Sequence, residues 1–562
     1  MAYLILGAAS LLALIECASA YYWVTAAFAP QALFGVASQN LETDLTYAPY
    51  PVAPILLLII MSSWVWIPIL DWASSRFRSP KSDSYSQSTG NGPMPENTSR
   101  LQPNFRQHGL SNKRVFLLSL DILAILSLLV FYFLYAAGQM WVVGVDAQYR
   151  YIIPLNTLNG LGLSQAVARA FTLGHGVYLA ILLTIDRATG LSPFLTVKYA
   201  PIVLAFATST LTLLAFRRAQ PRNFAFLAAL CAVLWIPTTI GVWGAIQSNW
   251  MAYVLWMLYL VSFLGRHWKS WSASFLLQSV LSVGILLTHP WTWGVFLATL
   301  IAAAIFEIRR RADFRRALTS VVSATWLAAP ICAAAYISLS GIRGDVLDAI
   351  GLYVFPFKHL DSILSLFPGA WLEMGRAWSS FLSPTLILLA LVGAYALRQV
   401  SGESRRYLLA WATVWCIGSI LVATIEYVPA DAAISETQLW RMLYLSPLPF
   451  LLALGIGKCV NLSSRFTIPG PHRFERLQLI ILPTAIAAFS LPLFLFEGTM
   501  VRLVSVIVGT LSIALLTYVF RLKDSPRLVI VAVLILVVVN ATFRSLFPLL
   551  LDPHNLYPSS SI

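Results

Sequence analysis

The sequence predicts an all-α, polytopic transmembrane protein of about fifteen spans. Three observations predict it. Hydrophobic residues make up 59% of the chain and charged residues only 11%, against about 25% charged in soluble domains. The mean hydropathy is +0.77. The apolar residues also fall into separate runs of about 16–24 residues, the length that crosses a bilayer core.

These runs lie near 3–20, 51–70, 115–138, 200–216, 223–240, 249–265, 273–288, 291–308, 317–338, 384–398, 407–424, 441–458, 477–496, 502–520 and 528–546. The first ends Ala18-Ser19-Ala20, like a cleavable signal peptide. It lacks a basic lead, and Glu16 interrupts it. A retained first span is therefore favoured, with cleavage left as the alternative.

Orientation follows from the basic residues, because Lys and Arg concentrate in cytoplasmic loops. With residues 71–114 in the cytoplasm, strict alternation puts 27 of the 37 Lys and Arg inside. Arg217-Arg218, Arg309-Arg310-Arg311, Arg405-Arg406 and the stretch from Lys458 to Arg476 all fall there. The net charge of +14 thus sets topology, and no nucleic-acid partner is indicated. The expected location is a multi-pass integral protein of a prokaryotic plasma membrane. The five cysteines, Cys17, Cys231, Cys332, Cys416 and Cys459, form no CxxC pair, so neither a disulfide framework nor a thiolate metal site is indicated.

Four regions follow. Residues 1–70 form a two-span hairpin. Residues 71–114, rich in Ser, Asn, Gly and Pro, read as a disordered cytoplasmic linker. Residues 115–460 form the core, and 461–562 add C-terminal helices. One segment breaks the alternation. Gly176 to Ile185 is apolar but short, and a crossing there would reverse every later loop. It is expected to lie on the outer surface or to dip in without spanning, as amphipathic interfacial helices do. Three large outer loops result, at 139–199, 339–383 and 425–440. The inner loops contain neither GxxxxGK[ST] nor GxGxxG, so no nucleotide cradle is visible there.

The first outer loop opens with Gly144-Val-Asp-Ala-Gln-Tyr-Arg-Tyr151. Asp146 follows the first core span, where a carboxylate meets a lipid-borne substrate while hydrated. The plainer reading is a polar residue that ends a helix. Further along come Asn156-Thr-Leu-Asn-Gly160, Gly174-His175-Gly-Val-Tyr178, and Trp440-Arg441-Met-Leu-Tyr444-Leu-Ser-Pro447-Leu-Pro449-Phe450. In this order the stretches resemble the GT-C superfamily of membrane glycosyltransferases. They are most similar to the dolichyl-phosphate-mannose protein mannosyltransferases and the bacterial aminoarabinose transferases. The Gly174–Tyr178 stretch is similar to the family's His-Pro-Pro-Leu-Tyr helix, with Gly176 in place of a Pro. Two features depart from the pattern. Asp146 has no acidic neighbour, and no Trp-Trp-Asp-Tyr-Gly signature is present.

The resemblance implies a GT-C-like core, a polyprenyl-phosphate-linked sugar as donor, and a protein, lipid or glycan acceptor at the extracytoplasmic face. By its place in the pattern, Asp146 is the expected catalytic base. Arg441, at the outer start of a span, suits bidentate bonding to the lipid phosphate, with snorkelling to headgroups as its alternative. Arg150 is a second candidate for the phosphate, or a simple ion-pair partner of Asp146. Tyr149, His175, Tyr178, His289, Trp291 and Tyr444 are the candidate substrate-binding side chains, although Trp291 also suits an interfacial aromatic belt. No cofactor is called for, and a divalent metal is left open. His175 has no partner at metal-ligand spacing. The competing readings are a flippase for lipid-linked sugars and a structural subunit of a membrane assembly. Transporters usually place ionisable groups at mid-membrane, whereas the polar groups here gather in the outer loops.

Overall fold

A computed structural model of the chain describes residues 62–77, 147–172, 175–219, 247–264, 271–308, 311–340, 384–400, 402–427 and 445–463, with Ile59 and Met442. Nearly all of them are helical, and no strand occurs among them. The linker beyond Phe77, the runs at 3–20, 115–138 and 223–240, most of the outer loops 339–383 and 425–440, and everything after Ser463 lie outside the described residues.

The first element is α1 (Ser63–Phe77). A π-helical turn (Ala147–Ile152) leads into α2 (Ile153–Asn159), followed by α3 (Leu163–Thr172) and α4 (Gly176–Thr189). Then come α5 (Pro193–Ala219), α6 (Gln247–Leu264), α7 (Trp271–Thr288) and α8 (Pro290–Glu307). The remainder are α9 (Arg311–Thr325), α10 (Ala328–Ser340), α11 (Pro384–Ala396), α12 (Gly402–Tyr427) and α13 (Leu448–Ser463). Pro193, Pro290 and Pro384 each open a helix, where the missing N–H costs nothing. Gly190, in the left-handed region at φ 68°, closes α4, a conformation that glycine adopts without strain. Three stretches among the described residues are long and apolar enough to cross a membrane: Pro193–Arg218, Pro290–Glu307 and Ala317–Ala334. At about 1.5 Å per residue, α4 spans about 21 Å, short of a bilayer core of about 30 Å.

α6 is the central helix of the largest core. It packs between α5 and α7, and α8 packs on α12. Trp256 lies 4.9 Å from Trp411 and 5.8 Å from Phe296, ring centre to ring centre, and donates to the Tyr407 hydroxyl at 2.8 Å. Buried polar groups tie α6, α7, α8 and α9 together. Tyr259 donates to the Ser320 carbonyl at 3.1 Å, Ser282 to the Ala324 carbonyl at 2.7 Å, Trp293 to Ser282 at 2.9 Å and Trp326 to Ser279 at 2.6 Å. Such bonds join helices where apolar contact with lipid supplies no driving force.

The ends of these helices meet in an ordered way. Arg218 at the end of α5 donates to the Val261 carbonyl near the end of α6. Phe263 packs on Tyr407 at 5.6 Å. Glu307, closing α8, pairs with Arg406 in the first turns of α12. One end of the bundle therefore collects the groups that the charge rule assigns to the cytoplasm. A side-specific labelling experiment checks the assignment. A cysteine at Ser164 on α3 is expected to react with an impermeant maleimide added to intact cells, and one at Ser88 is expected to stay unlabelled. The reverse pattern would place residues 139–199 inside.

Two expected spans differ. The run 317–338 is interrupted at Trp326–Leu327. Pro330 lacks the N–H that would bond the Trp326 carbonyl four residues back, so the helical ladder is interrupted there, within the membrane-length stretch Ala317–Ala334. The run 441–458 is not one outward-to-inward helix. Leu445 to Pro447 form a turn, and α13 begins only at Leu448, because Pro447 and Pro449 are tolerated at a helix start and not inside one. Phe450 packs on Phe216 and Trp411, near the Arg217-Arg218 end. From there α13 runs antiparallel to α11, with Leu451 against Gly393 and Gly455 against Leu389. Lys458 accordingly lies away from the basic end, where alternation had placed it. Gly393 and Gly455 allow this crossing, since a Cβ at either would strike the facing backbone.

Candidate active site

The opposite end of α6 carries the described part of the first outer loop. Gln247, Ser248, Asn249 and Trp250 form the first turn of α6 and are all buried. Helix starts leave backbone N–H groups without intrahelical partners. Here a side chain from the loop supplies one. The Ser248 N–H donates to the Tyr151 hydroxyl at 3.1 Å, and that hydroxyl donates to the Ser248 Oγ at 3.0 Å. Tyr178 donates to the Gln247 Oε1 at 2.7 Å, and the Gln247 Nε2 donates to the Val197 carbonyl at 3.1 Å. Trp250 donates to Thr208 at 2.7 Å. Tyr151 and Tyr178 meet edge to face at 5.3 Å, with the His175 ring 5.9 Å from Tyr151. Burial, with a smaller contribution from Tyr151, pushes the Tyr178 phenol well above its ordinary range, so it remains a donor.

An apolar cluster separate from the main core holds this arrangement. It comprises Leu155 and Leu158 of α2, Ala166 and Ala170 of α3, Leu179, Leu182 and Leu183 of α4, and Val197 of α5. α3 and α4 approach so closely that a Cβ on Gly176 would lie 2.7 Å from the Phe171 Cα. This explains why glycine stands there. Asn159 donates to the buried Asp186 carboxylate at 3.2 Å, and Arg187 donates to the carbonyls of Leu158 and Leu161 at 3.2 and 2.7 Å. These bonds clasp the α2–α3 turn to the end of α4.

Of the residues singled out from sequence, Tyr149, Arg150, His175 and Tyr178 come together in this region. Tyr149 and Arg150 are exposed on the π turn, whereas Tyr178 is buried and committed to Gln247. His289 and Trp291 sit elsewhere, between α7 and α8. His289 caps α8, its Nδ1 accepting from the Thr292 N–H at 3.2 Å, and Trp291 packs half-buried on the main core. Asp146, Arg441 and Tyr444 lie outside the described residues. Their chain neighbours do not. Ala147 is buried at the start of the π turn. Met442 packs on Gly418, about 24 Å along α12 from Gly402 at the helical rise. Gln247 and Ser248 escaped the sequence reading, although the polar Gln-Ser-Asn beside an apolar span was the available signal. Among the described residues no three His, Cys, Asp or Glu side chains gather as a metal site requires.

These features define a helical protein with membrane-length helices and an ordered polar cluster at one helix end. No family model matches the chain, and no curated protein matches it. Among solved structures it is similar to the crystal structure of ArnT from Cupriavidus metallidurans bound to undecaprenyl phosphate. The two are 14% identical, with a TM-score of 0.39 over 76% of this chain and 77% of that one.

Proposed function

We propose that the chain is a membrane glycosyltransferase of GT-C type, which moves a sugar from a polyprenyl phosphate to an acceptor hydroxyl at the extracytoplasmic face. One observation carries the reading. The segment that directly follows Asp146 is pinned by buried hydrogen bonds to the start of α6, a helix length away from the basic end. Over the sixteen helical steps from Gln247 to Phe263 that length is about 24 Å. A carboxylate that merely ended a helix in a loose loop has no need of such an anchor.

In this reading Asp146 removes the proton from the acceptor hydroxyl as its oxygen attacks the anomeric carbon. The bond from that carbon to the phosphate oxygen breaks, and polyprenyl phosphate leaves with the electron pair. Arg441 and Arg150 stabilise the negative charge that returns to the phosphate. The proposal assigns contacts with sugar or acceptor to Tyr149, His175 and Tyr444, and the bilayer supplies the donor laterally.

Arg441 offers the test. Arg441→Ala is expected to weaken binding of undecaprenyl phosphate by about 2–5 kcal/mol, the cost of removing one partner of a buried charged hydrogen bond. Arg441→Lys is expected to recover part of it, because an ammonium cannot make the bidentate contact. Unchanged binding of the lipid to Arg441→Ala, measured by thermal shift in detergent, would return Arg441 to a headgroup anchor.

A further inference from the structure

We infer that Tyr151, Tyr178, Gln247 and Ser248 form a positioning device for Asp146. The inference rests on the reading that Asp146 carries the chemistry. It begins with the π turn Ala147–Ile152. Such turns are rare, occur mostly singly, and are frequent at functional sites. This one follows Asp146 without a break in the chain and has its own anchor. The Tyr151 hydroxyl has one hydrogen to give, and it goes to the Ser248 Oγ. It has lone pairs to receive, and one takes the Ser248 N–H. A phenol engaged in both senses cannot turn without losing a bond.

Gln247 works similarly as a hub. Its amide oxygen receives from Tyr178 on α4, and its amide nitrogen gives to the Val197 carbonyl on α5. Two helices and the π turn are thus referred to two adjacent residues of α6. All four side chains are buried at 2% exposure or less, so water does not compete for these bonds. α6 is in turn fixed by Trp256 and Tyr259 in the main core. The frame therefore runs from the packed core to the residue immediately after Asp146. A displacement of about 1 Å at a reacting group costs on the order of 10²-fold in rate, which gives such a frame its value. None of the four is a catalytic residue. Each acts through the backbone that carries Asp146.

The test uses the full chain in nanodiscs and radiolabelled undecaprenyl-phosphate mannose or aminoarabinose. Tyr151→Phe is expected to lower kcat by about 10–100-fold, with KM for the donor within about twofold. Ser248→Ala is expected to cost less, because its backbone N–H still meets the phenol. The decisive comparison is made in the Asp146→Asn background, where Tyr151→Phe is expected to add no further loss. Groups that act as one unit are non-additive in this way.

If Asp146→Asn keeps wild-type transfer, the reading of Asp146 fails and the inference falls with it. If Asp146→Asn is crippled but Tyr151→Phe costs nothing, or costs the same factor in both backgrounds, the inference is overturned and the reading stands. Hydrogen exchange guards against a folding artefact. Amides 147–152 are expected to exchange faster in Tyr151→Phe, with 253–263 unchanged. Loss of protection throughout would assign Tyr151 to folding and overturn the inference.

Discussion

Asp146→Asn is expected to lower sugar transfer by about two orders of magnitude or more and to leave the protein folded. The substitution keeps the shape of the side chain and most of its hydrogen bonding. In the proposed mechanism it removes the basic lone pair that takes the acceptor's proton. A change at an outer loop position usually falls within about ±0.5 kcal/mol of wild-type stability, so expression, detergent extraction and melting should hold. The donor should still bind, because the proposal assigns its phosphate to Arg441 and Arg150. Full transfer by Asp146→Asn would move the base elsewhere, with Glu426, Asp431 and Glu436 in the third outer loop as the next acids to replace.

The second large effect is on stability and sits at the other end of the molecule. Arg406→Ala is expected to destabilise the protein by about 3–5 kcal/mol, because it removes one partner of a buried ion pair. The Glu307 side chain is only 5% exposed and that of Arg406 19%. Neither charge has water enough to compensate for the loss. Glu307→Leu combined with Arg406→Leu is expected to regain most of the difference, since apolar replacement of a buried pair is often neutral or stabilising. Thermal melting in detergent measures both. A melting temperature of Arg406→Ala equal to wild type would mark the pair as solvent-screened, for which about 0–1 kcal/mol is usual.

Much of the bundle was legible in the sequence because one signal, the apolar run, sets where a membrane helix lies. The runs at 200–216, 249–265, 273–288, 291–308, 384–398 and 407–424 coincide with α5, α6, α7, α8, α11 and α12. Helix interruptions were harder to see. The Trp326–Leu327 interruption and the turn at Leu445–Pro447 arise from one or two prolines inside runs whose hydropathy is unbroken. The reversed direction of α13 depends on a tertiary contact, the Gly393–Gly455 crossing, which no local pattern announces.

The site divides in the same manner. Tyr149, Arg150, His175 and Tyr178 stand out as polar or aromatic residues in an ordered loop motif. Gln247 and Ser248 do not, because a polar residue at the end of a span looks like ordinary loop. Only the long-range bonds from Tyr151 and Tyr178, across 97 and 69 residues of chain, reveal what they hold. His289 shows the converse. The conspicuous His-Pro-Trp motif also caps α8, a task to which composition gives no clue.

The most direct measurement follows the label from radiolabelled undecaprenyl-phosphate sugars in membranes containing the wild-type chain. Transfer predicts that the label leaves the lipid and appears on an acceptor at the outer face, and that Asp146→Asn abolishes this movement. Label that crosses the bilayer still attached to its lipid, at equal rates in wild type and Asp146→Asn, would contradict the account and identify a carrier of lipid-linked sugar.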